Sequence, residues 1–200
     1  MVMDQISLKI LDFDQDIPFT TVPFTTYPRA KDCLRNLSEL SCASCVDSEF
    51  FRQMSRICHH LRSLQIIVEK VISDGLEELI SNQQSLKNLR ISSYSNSSYS
   101  NSSSLSRIFP SITKLPNDLI RLYVFDGTRY TPLPFISKFT NLQELELFIY
   151  YQVDEYFKTL QYVTFSRLQT LNLYKESPNH KHLIKLLEIN GEFKKDFPSS

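Results

Sequence analysis

Leucine returns along this chain in seven segments that are apolar at their first, fourth and sixth positions. They are Leu8/Leu11/Phe13, Leu37/Leu40/Cys42, Leu61/Leu64/Ile66, Leu86/Leu89/Ile91, Leu119/Leu122/Val124, Leu142/Leu145/Leu147 and Leu168/Leu171/Leu173. Successive starts lie 29, 24, 25, 33, 23 and 26 residues apart. An extended segment of this kind alternates its side chains, so positions four and six point to one side and three, five and seven to the other. One such strand cannot bury its apolar side, but a stack of strands with backing segments can. The pattern therefore confines the chain to a repeated architecture.

Periods of roughly 20–29 residues with this motif are those of leucine-rich repeats. The expected fold is α/β: a leucine-rich-repeat solenoid of about seven repeats. In its usual form this is a curved horseshoe arc with short parallel strands on the concave face and helices on the convex face. Residues 1–200 are expected to form this one domain. Helical spacing marks several backing segments. Between Asp47 and His60 it links Phe50, Phe51, Met54, Ile57 and Cys58; Asp74 and Glu77 suggest a capped start ahead of Leu76, Leu79 and Ile80. Tyr156, Leu160 and Val163 form a further stripe, and Leu183, Ile184 and Leu187 a last buried one, closed by Gly191.

Two stretches break the rhythm. Residues 92–106 read SSYSNSSYSNSSSLS and fall in the 33-residue interval. A Ser/Asn-rich composition has little to bury, so a flexible loop insertion is expected there, either a bland expansion or a phosphorylated regulatory segment. Between Pro18 and Pro28 three prolines predict an irregular or extended connection.

Composition excludes several functions. Lys+Arg and Asp+Glu are equal at 22 each, without the basic excess that nucleic-acid binding draws on. Met1–Phe13 lacks the basic start and apolar run of a secretory signal, and no apolar run is long enough to span a membrane. A cytoplasmic or nuclear protein is expected, with no membrane partner, reduced cysteines and unglycosylated sequons at Asn36, Asn96 and Asn101. Three glycines cannot write a phosphate-binding loop, and neither G-x-S-x-G nor H-E-x-x-H is present. No enzyme activity and no cofactor are expected.

Cys42-Ala-Ser-Cys45 has a zinc-like spacing, with Cys33, Cys58, His59 and His60 nearby. Cys42, however, occupies a core position of its repeat and Cys58 the inner stripe of a helix, where free cysteine acts as a small hydrophobe. No metal is expected. His59 and His60 read as a helix end, and His180-Lys181-His182 as a solvated helix start.

The outward strand positions are the candidate binding residues. Position seven carries Phe125, Phe148 and Tyr174 in the last three repeats; position five carries Tyr123 and Glu146; Tyr150 and Tyr151 follow the sixth strand. Strands about 4.8 Å apart turn such residues into a ladder. The ladder is either a partner-binding patch or a set of rings packed on one another. Arg121 and Glu144, both at position three, are expected to pair across strands.

The phrases LRNLSELSC, EFFRQMSRICHHLRSLQI, LPNDLIRLYV, FTNLQELELF and HLIKLLEINGEFKKDF resemble the repeat region of F-box/leucine-rich-repeat proteins, especially the expanded families of filamentous fungi. The resemblance runs from about residue 30 to 197. It implies a substrate-recognition module: in that family an F-box docks on the Skp-type adaptor of a cullin ubiquitin ligase, and the repeats select the substrate. Here the first repeat already begins at Leu8, and Leu115-Pro116-Asn117-Asp118-Leu119 only echoes an F-box opening before running into a strand. The resemblance thus implies an unidentified protein partner, with ligase components joining only through an F-box elsewhere. The alternatives are a free-standing regulator or decoy, and a fragment of a longer F-box protein.

Overall fold

The computed structural model describes residues 7–12, 29–69, 71–93, 105–126, 134–149, 153–175 and 177–191. Each of the seven leucine segments supplies one strand, and every strand begins at position three of its segment. They are β1 (Ile10–Asp12), β2 (Glu39–Ala43), β3 (Ser63–Val68), β4 (Asn88–Ser93), β5 (Arg121–Asp126), β6 (Glu144–Ile149) and β7 (Thr170–Lys175). All pair in parallel and in sequence order, giving one seven-stranded sheet. Register is that of the motif, with position-four leucines side by side: Leu11, Leu40, Leu64, Leu89, Leu122, Leu145 and Leu171.

One backbone device repeats at all six junctions. The position-two carbonyl of each segment accepts the N–H groups of positions two and three of the next. Lys9 O takes Ser38 and Glu39, Ser38 O takes Arg62 and Ser63, and so on to Gln143 O with Gln169 and Thr170, at 2.7–3.0 Å. A shared carbonyl at the strand mouth fixes the register through the backbone alone. A one-residue slip would turn every leucine to the wrong face.

Between the strands lie α1 (Ala30–Leu34), α2 (Ser48–Ile57), α3 (Asp74–Ser81), α4 (Leu105–Ile112), a 3-10 helix (Pro134–Lys138), α5 (Val153–Leu160) and α6 (His180–Asn190). Their apolar sides and strand positions four and six form one continuous core; Leu64, Ile66, Leu76, Phe51 and Phe157 are fully buried. Burial in β3 and β6 alternates strictly, inward residues closed and outward ones half-open, so the helices cover a single face. Helix ends are tied back to the preceding repeat. Cys58 Sγ donates to Leu34 O, Gln83 Nε2 to Cys58 O at 2.9 Å, and Asn190 Nδ2 to Val163 O at 2.9 Å, satisfying carbonyls that a helix or turn end leaves free.

Several expectations change. The sheet is not curved into a horseshoe arc. Such bending follows when the backing layer is wider than the strand spacing. Here the layer includes a five-residue α1 and a five-residue 3-10 helix, and α2 and α3 approach closely. That approach depends on Gly75, where an added Cβ would stand 2.2 Å from Ser48 O and 2.9 Å from Phe51 Cβ.

Asp74 does not cap α3. Ser73 is its N-cap residue, without a side-chain cap bond, and the Asp74 carboxylate instead meets Arg107 of α4 at 3.0 Å. The last stripe is buried only in part, at Leu183, which packs against the core. Ile184 is 54% and Leu187 40% exposed, and only Leu186 of α6 is closed, because no further repeat covers this end among the described residues. Ser92 and Ser93 belong to β4 and Leu105 and Ser106 to α4, so a loop there is narrower than residues 92–106, and 94–104 lie outside the described residues. The Pro18–Pro28 stretch lies outside them too.

Candidate functional site

The face of the sheet opposite the helices carries three rows of side chains, set by the strand pairing. Position three contributes Glu39, Ser63, Asn88, Arg121, Glu144 and Thr170 in order. Position five contributes Ser41, Gln65, Arg90, Tyr123, Glu146 and Asn172, and position seven Ala43, Ile67, Ser92, Phe125, Phe148 and Tyr174. The face is therefore mostly polar toward the β2 end and aromatic from β5 to β7.

Phe148 is the centre of the aromatic part. Its ring centroid lies 5.7 Å from Phe125, 5.9 Å from Tyr123 and 3.9 Å from Tyr174, the last pair nearly parallel at 12°. Tyr123, Phe125 and Phe148 are half-buried, and Tyr174 remains 38% exposed. The rings thus pack on one another, as one of the two sequence readings has it, and Tyr174 stays open beside them. Tyr150 and Tyr151 lie outside the described residues.

Beside the rings is a hollow of about 310 Å³, lined among others by Arg90, Arg121, Tyr123, Glu144 and Glu146. Arg121 Nε meets Glu144 at 2.9 Å, as the position-three alignment predicts. Arg90 lays its guanidinium over the Tyr123 ring, 3.6 Å from the centroid. Such a contact is worth roughly 0.5–1 kcal/mol at an open site. Arg90 was not singled out from the sequence; aligning position five across β4 and β5 is the signal that finds it.

The cysteines and histidines are dispersed. Cys42 points into the core beneath the sheet, and burial, helped by Asp12, pushes its thiol from 9.0 up to about 12. Cys58 is pushed to about 12 by burial alone, and Cys45 is raised by partial burial and by its bond to Glu69. His59 and His60 follow the end of α2, exposed, and line a helix-side hollow of about 540 Å³ with Lys31, Arg35 and Arg56. Among the described residues no three His, Cys, Asp or Glu side chains gather to hold a metal ion. His180 and Lys181 open α6 in solvent, whereas His182 is half-buried, 3.9 Å from Asp154. Among the described residues no helix is long and apolar enough to cross a membrane.

No protein-family model matches the chain, and no curated protein matches it in sequence.

Proposed function

We propose that the chain is a non-enzymatic protein-interaction module, a leucine-rich-repeat solenoid that docks a partner protein on the sheet face opposite its helices. One observation carries the reading: Phe125, Phe148 and Tyr174 are held in register on that face, and their rings and that of Tyr123 meet at Phe148. Pre-ordered aromatics lose little side-chain freedom on binding, which is why such clusters dominate interface energetics. The repeated position-two hydrogen bonds and the motif-wide register support the solenoid. The resemblance to F-box/leucine-rich-repeat proteins supports the narrower role of a substrate-recognition module of a ubiquitin ligase. Such a role needs a cytoplasmic or nuclear setting.

The test is affinity purification of the tagged protein from its own cell beside a Phe125/Phe148/Tyr174→Ala variant. Partners that depend on the rings support the docking face, and a Skp-type adaptor and cullin among them would support the ligase role. Partners without the adaptor would leave a free-standing regulator or decoy. Partners retained in full by a folded variant would overturn the docking face.

A further inference from the structure

Glu146 stands next to Tyr123 in the position-five row and two residues before Phe148 on β6, so its carboxylate shares the face of both rings. It is half-buried and lines the hollow, and among the described residues it has no ion pair or hydrogen bond. Among the described residues, the two guanidinium groups that line the same hollow are held by other groups. Arg121 is engaged by Glu144, and Arg90 is laid over Tyr123. Asp12 and Glu39, exposed at the β1–β2 end of the same face, are likewise without an ion pair among the described residues. Among the described residues of the face, Glu146, Asp12 and Glu39 thus lack an ion pair, and of the guanidinium groups only Arg90 does.

A partner that covers the Phe148–Tyr174 stack also covers Glu146. Taking an unpaired carboxylate out of water is unfavourable and offsets much of what ring burial contributes. The cost is removed if the partner brings its own cation. The neighbouring rings favour the same charge, since a cation within about 6 Å of a ring centroid is drawn to the aromatic face. Positions five and seven are separated by one pleat, about 6.8 Å, which is also the spacing of side chains i and i+2 in an extended peptide.

Resting on the docking reading above, we propose that the segment this face takes is extended and basic. It seats an arginine or lysine against Glu146, between Tyr123 and Phe148, and an apolar side chain two residues away on the Phe148–Tyr174 stack. A basic residue and an apolar one in alternation would be the recognised feature; an acidic segment would be repelled.

The experiment is selection of a random-peptide display library on the full chain, then titration of the enriched peptides against the full chain, Glu146→Gln and Phe148→Ala. Circular dichroism melts check that each variant is folded. The expected result is enrichment of peptides with Arg or Lys two residues from an aromatic or aliphatic residue. Glu146→Gln should weaken them about tenfold with a shallower salt dependence, as loss of one close charge pair does, and Phe148→Ala should abolish binding. Peptides that need Phe148 but carry no basic residue and ignore Glu146→Gln would overturn the charge inference and leave the docking face standing. Peptides indifferent to Phe148→Ala would overturn both. Failure to enrich any peptide would count against an extended partner segment.

Discussion

Phe148 lies face to face with Tyr174, ring centroids 3.9 Å apart, although 26 residues of chain separate them. Parallel pairing of β6 and β7 sets the two side chains opposite each other, and the contact with Tyr123 and Phe125 makes Phe148 the shared member of three ring pairs. Its removal should be felt in stability as well as in binding. Phe148→Ala is expected to lower unfolding free energy by about 2 kcal/mol, and Tyr174→Ala, at the open end of the row, by about 1 kcal/mol. Urea titrations of the two variants check the order.

Close helix approach makes a second position sensitive. Gly75→Ala places a methyl against the Ser48 carbonyl and Phe51, so α3 must move off α2 and the Ser48–Ser73 hydroxyl bond at 2.8 Å with it. A loss of about 1–3 kcal/mol is expected, the usual range for overpacking. It opposes the gain that Gly→Ala gives in an open helix, so the sign of the change in melting temperature decides.

The Arg121–Glu144 pair, by contrast, should matter little to stability. Both side chains are well exposed, 60% and 38%, despite the 2.9 Å contact. A double-mutant cycle with Arg121→Ala and Glu144→Ala should return a coupling of about 0.5 kcal/mol that fades in high salt.

Alkaline pH should destabilise the fold through the buried thiols. Between pH 9.0 and about 12 the unfolded chain gives up the Cys42 and Cys58 protons that the folded chain retains. The folded state then binds more protons, and stability falls as pH rises; below 9.0 both states are protonated and the contribution is complete. Cys42 alone can remove at most about 1.4 kcal/mol per pH unit across that window. Cys42→Ala should therefore show a shallower alkaline decline than the parent chain, read from denaturation midpoints at stepped pH.

The leucine spacing made the sheet legible because strand periodicity is local: positions four and six are buried in every strand from β2 to β6 and partly buried in β7, and the Arg121–Glu144 pair follows from aligning the segments. What sequence missed depends on partners far along the chain. Asp74 looks like a cap until Arg107, 33 residues on, takes its carboxylate. α4 follows a Ser-rich stretch and contains Pro110, so its helical stripe was hidden. Ile184 and Leu187 have the spacing of a buried stripe, but burial also needs a neighbour to close over it. Leu186→Ala should cost about 2–5 kcal/mol, whereas Leu187→Gln at the exposed position should stay within about 0.5 kcal/mol. Comparing their melts locates the open end of the core.

The docking face is tested most directly by hydrogen–deuterium exchange on the protein bound to a partner recovered by affinity purification, against the free protein. Protection is expected along β5, β6 and β7, around Tyr123, Phe125, Phe148 and Tyr174, and should disappear with Phe148→Ala. Protection confined to the helix side, around Arg56 and His59, with the sheet face unchanged, would contradict the account.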